Sequence, residues 1–314
     1  MNSSEYKPIL LGAVIGAFLY LLSSIMPLIG GIISFFAPIP LGYIGLKQNK
    51  NKLVACLLLT CLIVFFAGGR ISVILYLIQY GFPFYLFFEL YNREVEVGKA
   101  VFLSSLIMIF LFAIGVLYFA GFNYSHILDW LTNFLNSNFQ AVLKSYRKFG
   151  FTEEEIKQIS TNLKVLSYTL VRVLPALMVM FYTSIFLVNL PIAERLAKVK
   201  IRNFDFKNYK YPFHFVWLFI ISGFGVFFLK KSLIWWIVLN IFIICSFVFL
   251  IQGFSVTECW FEKIKFSKFM KNLFYILILF SQFLLISVAI IGLFDNWFDF
   301  RKIMNRGGTN ENNT

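Results

Sequence analysis

Nine apolar stretches follow one another along the chain, at about 9–26, 29–46, 53–69, 71–90, 99–120, 165–190, 212–229, 232–252 and 272–293, joined for the most part by short polar runs. Crossing the roughly 30 Å hydrocarbon core of a bilayer takes about 20 apolar residues of helix, so this spacing predicts a chain that crosses repeatedly. Lipid offers no partner to backbone N–H and C=O groups, which leaves helix as the form such stretches take. The expected fold is all-α, a polytopic transmembrane helical bundle of about 8–9 helices. One membrane domain is expected over residues 1–300, with an extramembrane amphipathic segment at 121–164 and a disordered tail at 301–314. Composition excludes a soluble alternative: 60% of the residues are hydrophobic and 14% charged, against about 25% charged in a soluble domain.

The first stretch follows a short polar start, and no small-x-small cleavage site precedes the next one, which favours a first transmembrane helix over a signal peptide. Pro27, Gly30, Gly31, Pro38 and Pro40 interrupt the second stretch, so it is expected to be kinked, with a re-entrant loop as the alternative. The net charge of +13 is spread over loops between apolar stretches, a pattern that suits anionic lipid and membrane topology and gives no reason to expect nucleic acid. Lys7, Lys47, Lys50, Lys52, Arg93, Lys99, the run from Arg195 to Lys210 and that from Lys263 to Lys271 share one side, which favours a cytoplasmic N-terminus in a bacterial plasma (inner) membrane. Lys230, Lys231, Arg301, Lys302 and Arg306 then fall on the other side, and one re-entrant stretch would reverse that, so the side of the C-terminus stays open.

Within 121–164, Ile127, Leu128, Leu131, Phe134, Leu135, Phe139, Val142, Leu143 and Tyr146 recur at three- and four-residue spacing. This predicts an amphipathic helix that lies in the outer interface or caps a cavity. Thr152 followed by Glu153, Glu154 and Glu155 reads as a helix start with a capping box, from which the helix runs on into the stretch ending near Leu190.

Catalysis has little to work with. His126 and His214 are far apart, and zinc-protease, serine-elbow and P-loop motifs are absent. The four cysteines form no C-x-x-C pair. Neither an enzyme, a metal site nor a cofactor is expected. Other features point to binding. Gly12 with Gly16 and Ala13 with Ala17 form overlapping small-x-x-x-small stripes that let another helix approach closely, whether from this chain or from a partner. Arg172, near Pro175, is an ionisable group inside an apolar stretch and either receives an anionic ligand group or snorkels to the interface. Arg70 follows Gly68 and Gly69 at a helix end, as an anion contact or a plain anchor. Asn189, with Asn240, Gln79, Gln252 and Gln282, either lines a polar intramembrane site or hydrogen-bonds helices together. In the closing segment, Asp295 and Asp299 stand one helical turn apart with Arg301 and Lys302 as pairing partners and Trp297 for the interface.

The stretch from Pro38 to Leu46, the pair Gly68 and Gly69, and the close formed by Gly292, Asp295, Trp297, Asp299 and Arg301 resemble the YybS-like family of uncharacterised bacterial membrane proteins over essentially the whole chain. The first half also resembles the S components of energy-coupling factor vitamin transporters. That resemblance implies an S-component-like core in which Ala13 and Ala17 on the first helix dock a coupling subunit. The expected function is accordingly a small-molecule-binding or transport-related membrane component, with the bilayer and a coupling subunit as partners. The alternative is a non-transporting scaffold for envelope assembly.

Overall fold

The computed structural model describes residues 3–119, 124–148, 150–202, 210–230 and 232–302. Among them the secondary structure is helical, with no strand. The chain divides into two compact units where the sequence suggests one domain: Met1–Ser167 with Leu177–Phe204, and Tyr168–Ala176 with Asp205–Thr314.

The first unit begins with α1 (Ser3–Ile25), followed by α2 (Pro27–Ser34) and α3 (Ile39–Lys47). α2 and α3 are one apolar run broken at 35–38, as Pro38 and Pro40 dictate: neither can donate a backbone hydrogen bond. Then comes α4 (Lys50–Tyr76), a π-helical turn (Leu77–Gly81) and α5 (Phe82–Asn92), continuous over 43 residues. A straight helix of that length would reach about 65 Å, twice the membrane core. It is not straight. Gly69 alone is non-helical inside α4, at φ 80° and ψ −178°, a region open essentially to glycine. Lys50 Nζ lies 2.6 Å from Glu89 Oε2, and the backbone of Gly81 sits against the side chain of Leu57. Residues 50 and 89 would stand roughly 58 Å apart along one rod, so the chain reverses at Gly69. Its two arms, 50–68 and 70–92, match the separate stretches 53–69 and 71–90 read from the sequence.

α6 (Val97–Phe119) and α7 (Tyr124–Lys148) follow, then α8 (Glu153–Ala197), 45 residues long. The Thr152 capping box is present, with Thr152 Oγ1 accepting from Glu155 N–H and the Glu155 carboxylate accepting from Thr152 N–H. α7 folds back along the start of α8: Ser167 Oγ donates to Asn136 Oδ1 at 2.8 Å and Arg147 pairs with Glu153. Within the stretch expected to be extramembrane, Tyr124–Lys148 and the start of α8 thus pair as two arms, the second of them already part of α8.

The second unit holds α9 (His214–Phe228), α10 (Leu233–Lys263), α11 (Lys268–Phe280) and α12 (Gln282–Phe298), plus the stretch Tyr168–Ala176 of α8. α9 and α10 form a hairpin in which Gly223 and Gly225 pack on Phe242 and Val238. The last apolar stretch, expected as one helix over 272–293, is instead α11 and α12 bent by 106° at Ser281.

Among the described residues, length and apolarity qualify six helices as membrane spans, or seven if the bent pair is one span, where the sequence suggests eight or nine. The difference has two physical sources. Residues 50–92 form one continuous helical run although they double back at Gly69, and α9 has only 15 residues. Of the tail expected at 301–314, Arg301 and Lys302 continue in helical conformation, and 303–314 lie outside the described residues.

Candidate functional site

The small-residue stripe of α1 is filled by the chain itself. Ala13 and Ala17 are fully buried. A Cβ added at Gly12 would meet Ile44, Cys56 and Pro40, and one at Gly16 would meet the Ala37 carbonyl and Thr60. Small residues let α3 and the first arm of α4 approach the backbone of α1, where packing rather than the hydrophobic effect holds helices together. A coupling subunit would have to displace those helices to reach Ala13 and Ala17. Arg70 is exposed at the tip of the Gly69 reversal.

Asn189 occupies the core of the first unit at 0% exposure. Its role follows from the break at 35–38. In an unbroken helix the Phe35 carbonyl would accept from the Ile39 N–H, but that N–H turns to Phe36 O. Asn189 Nδ2 donates to the stranded Phe35 O at 3.0 Å and to Ile185 O at 2.8 Å. Two carbonyl acceptors fix which end of the amide is nitrogen. The other end, Oδ1, is buried without a hydrogen-bond partner among the described residues.

The π turn creates a second stranded carbonyl. Phe82 N–H bonds Leu77 O, and residue 83, next in line for the Ile78 carbonyl, is a proline. Tyr182 Oη fills the gap, donating to Ile78 O at 3.1 Å. Beside these two breaks stand the buried Tyr20, Tyr76 and Tyr80, with ring centroids 5.2 to 6.2 Å apart. Tyr20 Oη donates to Ser72 O and Tyr80 Oη lies 3.5 Å from Ser34 Oγ. Phe181 joins the breaks, its ring 6.4 Å from Phe35 and 6.5 Å from Tyr80. The arrangement is a polar junction walled by aromatic rings. The sequence marks Asn189 but not Tyr182, whose partner Ile78 lies 104 residues away.

In the second unit Asn240 plays the part of Asn189. Pro175 removes one α8 hydrogen bond, and at the next residue Asn240 Oδ1 accepts from Ala176 N–H at 3.0 Å while Nδ2 donates to Arg172 O at 2.8 Å. The Arg172 guanidinium lies over the Tyr168 ring at 3.4 Å and near Trp236 at 5.5 Å, and donates to Tyr168 O.

The closing motif forms a lock. Gly292 on α12 crosses Gly253 on α10 so tightly that a Cβ on Gly292 would overlap the Phe249 carbonyl, and one on Gly253 the Val288 carbonyl. The crossing brings Asp295, at 0% exposure, to Gln252, also buried. Asp295 Oδ2 accepts from Gln252 Nε2 at 3.0 Å and pairs with Arg301 Nη2 at 3.3 Å, and Oδ1 accepts from Phe300 N–H at 3.1 Å. Arg301 is 8% exposed. Asp299 ends α12 in the left-handed conformation and pairs with Lys302 at 2.8 Å and Lys210 at 3.7 Å. The Lys302 hydrogen bond, aided by the Lys210 charge, holds the Asp299 carboxyl below its ordinary value. Trp297 packs edge-on to Phe213. The sequence offers Arg301 and Lys302 as partners for Asp295 and Asp299 without saying which goes with which, and it gives no link to Gln252 and Gly253, some 40 residues away on α10.

No group of three metal-ligating side chains occurs among the described residues. A small polar pocket of about 200 Å³ lies near the ends of α5 and α8, lined by Tyr91, Glu94, Val95, Glu96 and Arg202. Residues 14–296 match the model of a family described as predicted membrane protein (DUF2232). Neither a curated protein nor a solved structure matches the chain.

Proposed function

The chain belongs to that family of predicted membrane proteins, and within that setting we propose that its first unit binds a small polar molecule in the membrane, at the junction of the two broken helices. The observation that supports this is Asn189 Oδ1, a fully buried acceptor without a partner among the described residues. An unmet polar group in an apolar interior costs about 1–3 kcal/mol by mutational measures. A ligand N–H or O–H at that atom would recover this energy. Broken helices whose freed backbone and polar side chains face an intramembrane site are a recurrent way to hold substrates in transporters. The rings of Phe35, Phe181 and Tyr80 suit a flat heterocyclic ligand.

In this reading the protein is a transport component. The ends of α3, α5 and α8 carry Lys47, Arg93 and Arg195 and face the cytoplasm, as the positive-inside rule directs. A coupling subunit docks on the lipid-facing side of α1, through Leu10, Leu11, Val14 and Phe18, which are exposed. The test is thermal denaturation of the detergent-purified protein with a panel of water-soluble vitamins and nucleobases. A ligand at about 100 times its Kd adds roughly 2.7 kcal/mol to the folded state. The expected outcome is a shift by one compound class that Asn189→Leu abolishes. A shift that survives Asn189→Leu, or no shift with the whole panel, refutes the reading.

The scaffold alternative draws on a different feature, the helical hairpin of α7 and the start of α8 with Trp130 and Phe134 exposed and stacked. A partner lost on replacing both by Ser, with no ligand response, would favour it.

A further inference from the structure

Arg172 is a charge within an apolar helix, and among the described residues no carboxylate pairs with it. Its position is nonetheless tightly set. Asn240 holds the backbone carbonyl of the same residue, the guanidinium stacks on Tyr168, Trp236 closes a second side, and one Nη1 hydrogen goes to Tyr168 O. A guanidinium carries five N–H donors in a planar fork, so most of them have no acceptor among the described residues. Free snorkelling would leave the side chain unconstrained. Here aromatic stacking pre-orients the fork, which reduces the entropy lost on binding a bidentate anion.

Depth identifies the anion. Trp236 lies in the first turn of α10, four residues and about 6 Å along the axis from the cap Ser232, and the guanidinium lies 5.5 Å from its ring. Trp235 and Trp236 contact each other there with ring centroids 4.7 Å apart, the position of an aromatic belt at the headgroup level. Lys230, exposed on the turn just before α10, adds positive charge at the same end. Lipid phosphates occupy that level. We propose that Tyr168, Arg172 and Trp236 form a binding site for the phosphate of an anionic phospholipid, independent of the ligand site in the first unit.

The test is native mass spectrometry of the full-length protein in mild detergent, titrated with phosphatidylglycerol or phosphatidylcholine. Melting temperature is measured in parallel with each lipid and with inorganic phosphate. One Arg near the surface contributes enough to change retention about fivefold. The expected result is preferential retention of phosphatidylglycerol that falls about fivefold in Arg172→Gln, with phosphatidylcholine unaffected. Equal phosphatidylglycerol retention by the two proteins overturns the proposal, as does equal stabilisation by inorganic phosphate, which would mark a site for a soluble anion. Should Arg172→Gln not fold, Arg172→Lys keeps the charge and loses the fork. Reduced phosphatidylglycerol retention by that variant supports the site, and unchanged retention overturns it.

Discussion

Replacing Asp295 by Ala removes the acceptor that three donors share: the Arg301 guanidinium, the Gln252 side-chain amide and the Phe300 backbone N–H. Asp295 and Gln252 are at 0% exposure and Arg301 at 8%, so water does not readily substitute. Breaking a buried pair by removing one partner costs about 3–5 kcal/mol, most of it from the charge left behind. That origin makes the double variant informative. Asp295→Ala with Arg301→Leu no longer buries a guanidinium deprived of the Asp295 carboxylate, so it should be less damaged than the sum of the two single variants, with a coupling of about 1–3 kcal/mol. Asp295→Asn keeps the shape and one acceptor and should fall between wild type and Asp295→Ala. The assay is equilibrium unfolding in mixed detergent–denaturant micelles, followed by the fluorescence of the tryptophans, of which Trp297 sits beside the lock. If Asp295→Ala and the double variant both lie within about 0.5 kcal/mol of wild type, the pair is solvated and the reasoning fails.

Other consequences can be checked separately. Cysteines at Lys50 and Glu89 should be bridged by a bis-maleimide of about 10 Å reach if 50–92 doubles back, and not if it is one rod of roughly 58 Å between them; Gly69→Ala should destabilise by about 1–3 kcal/mol, because its conformation is open essentially to glycine. Gly292→Ala drives a methyl group into the Phe249 carbonyl and should cost about 1–3 kcal/mol or prevent folding, read out as loss of a monodisperse peak in size-exclusion chromatography. Asn240→Ala should cost only about 0.6 kcal/mol in the same unfolding assay, because the two groups it bridges, Arg172 O and Ala176 N–H, are four residues apart and can pair with each other. The Asp299 carboxyl is held below its ordinary value of 3.8 in the folded protein. Its contribution is therefore full above that pH and lost as the pH falls below it; melting temperature should drop less between pH 6 and 3 in Asp299→Asn than in wild type.

Much of this protein is legible in the sequence because the bilayer imposes local rules. An apolar run of sufficient length is a helix wherever it lies, so the helical bundle, the break at Pro38 and Pro40, the capping box at Thr152 and the amphipathic helix after Phe119 depend only on neighbours within a few residues. That the two aspartates of the closing motif have Arg301 and Lys302 as partners is legible for the same reason, though not which goes with which. The reversal at Gly69 is half legible: the glycine pair marks an interruption, but whether the helix bends or returns depends on Lys50 meeting Glu89. What only the tertiary structure decided is which polar side chain answers which gap. Asn189 meets Phe35 across 154 residues, Tyr182 meets Ile78 across 104, and Gln252 meets Asp295 across 43. The stripe on α1 likewise became an internal packing face only because α3 and α4 lie over it. A local pattern states that a backbone group is left open or that a face is small; which element covers it is set by packing between distant helices, and that information is carried by no single stretch of the chain.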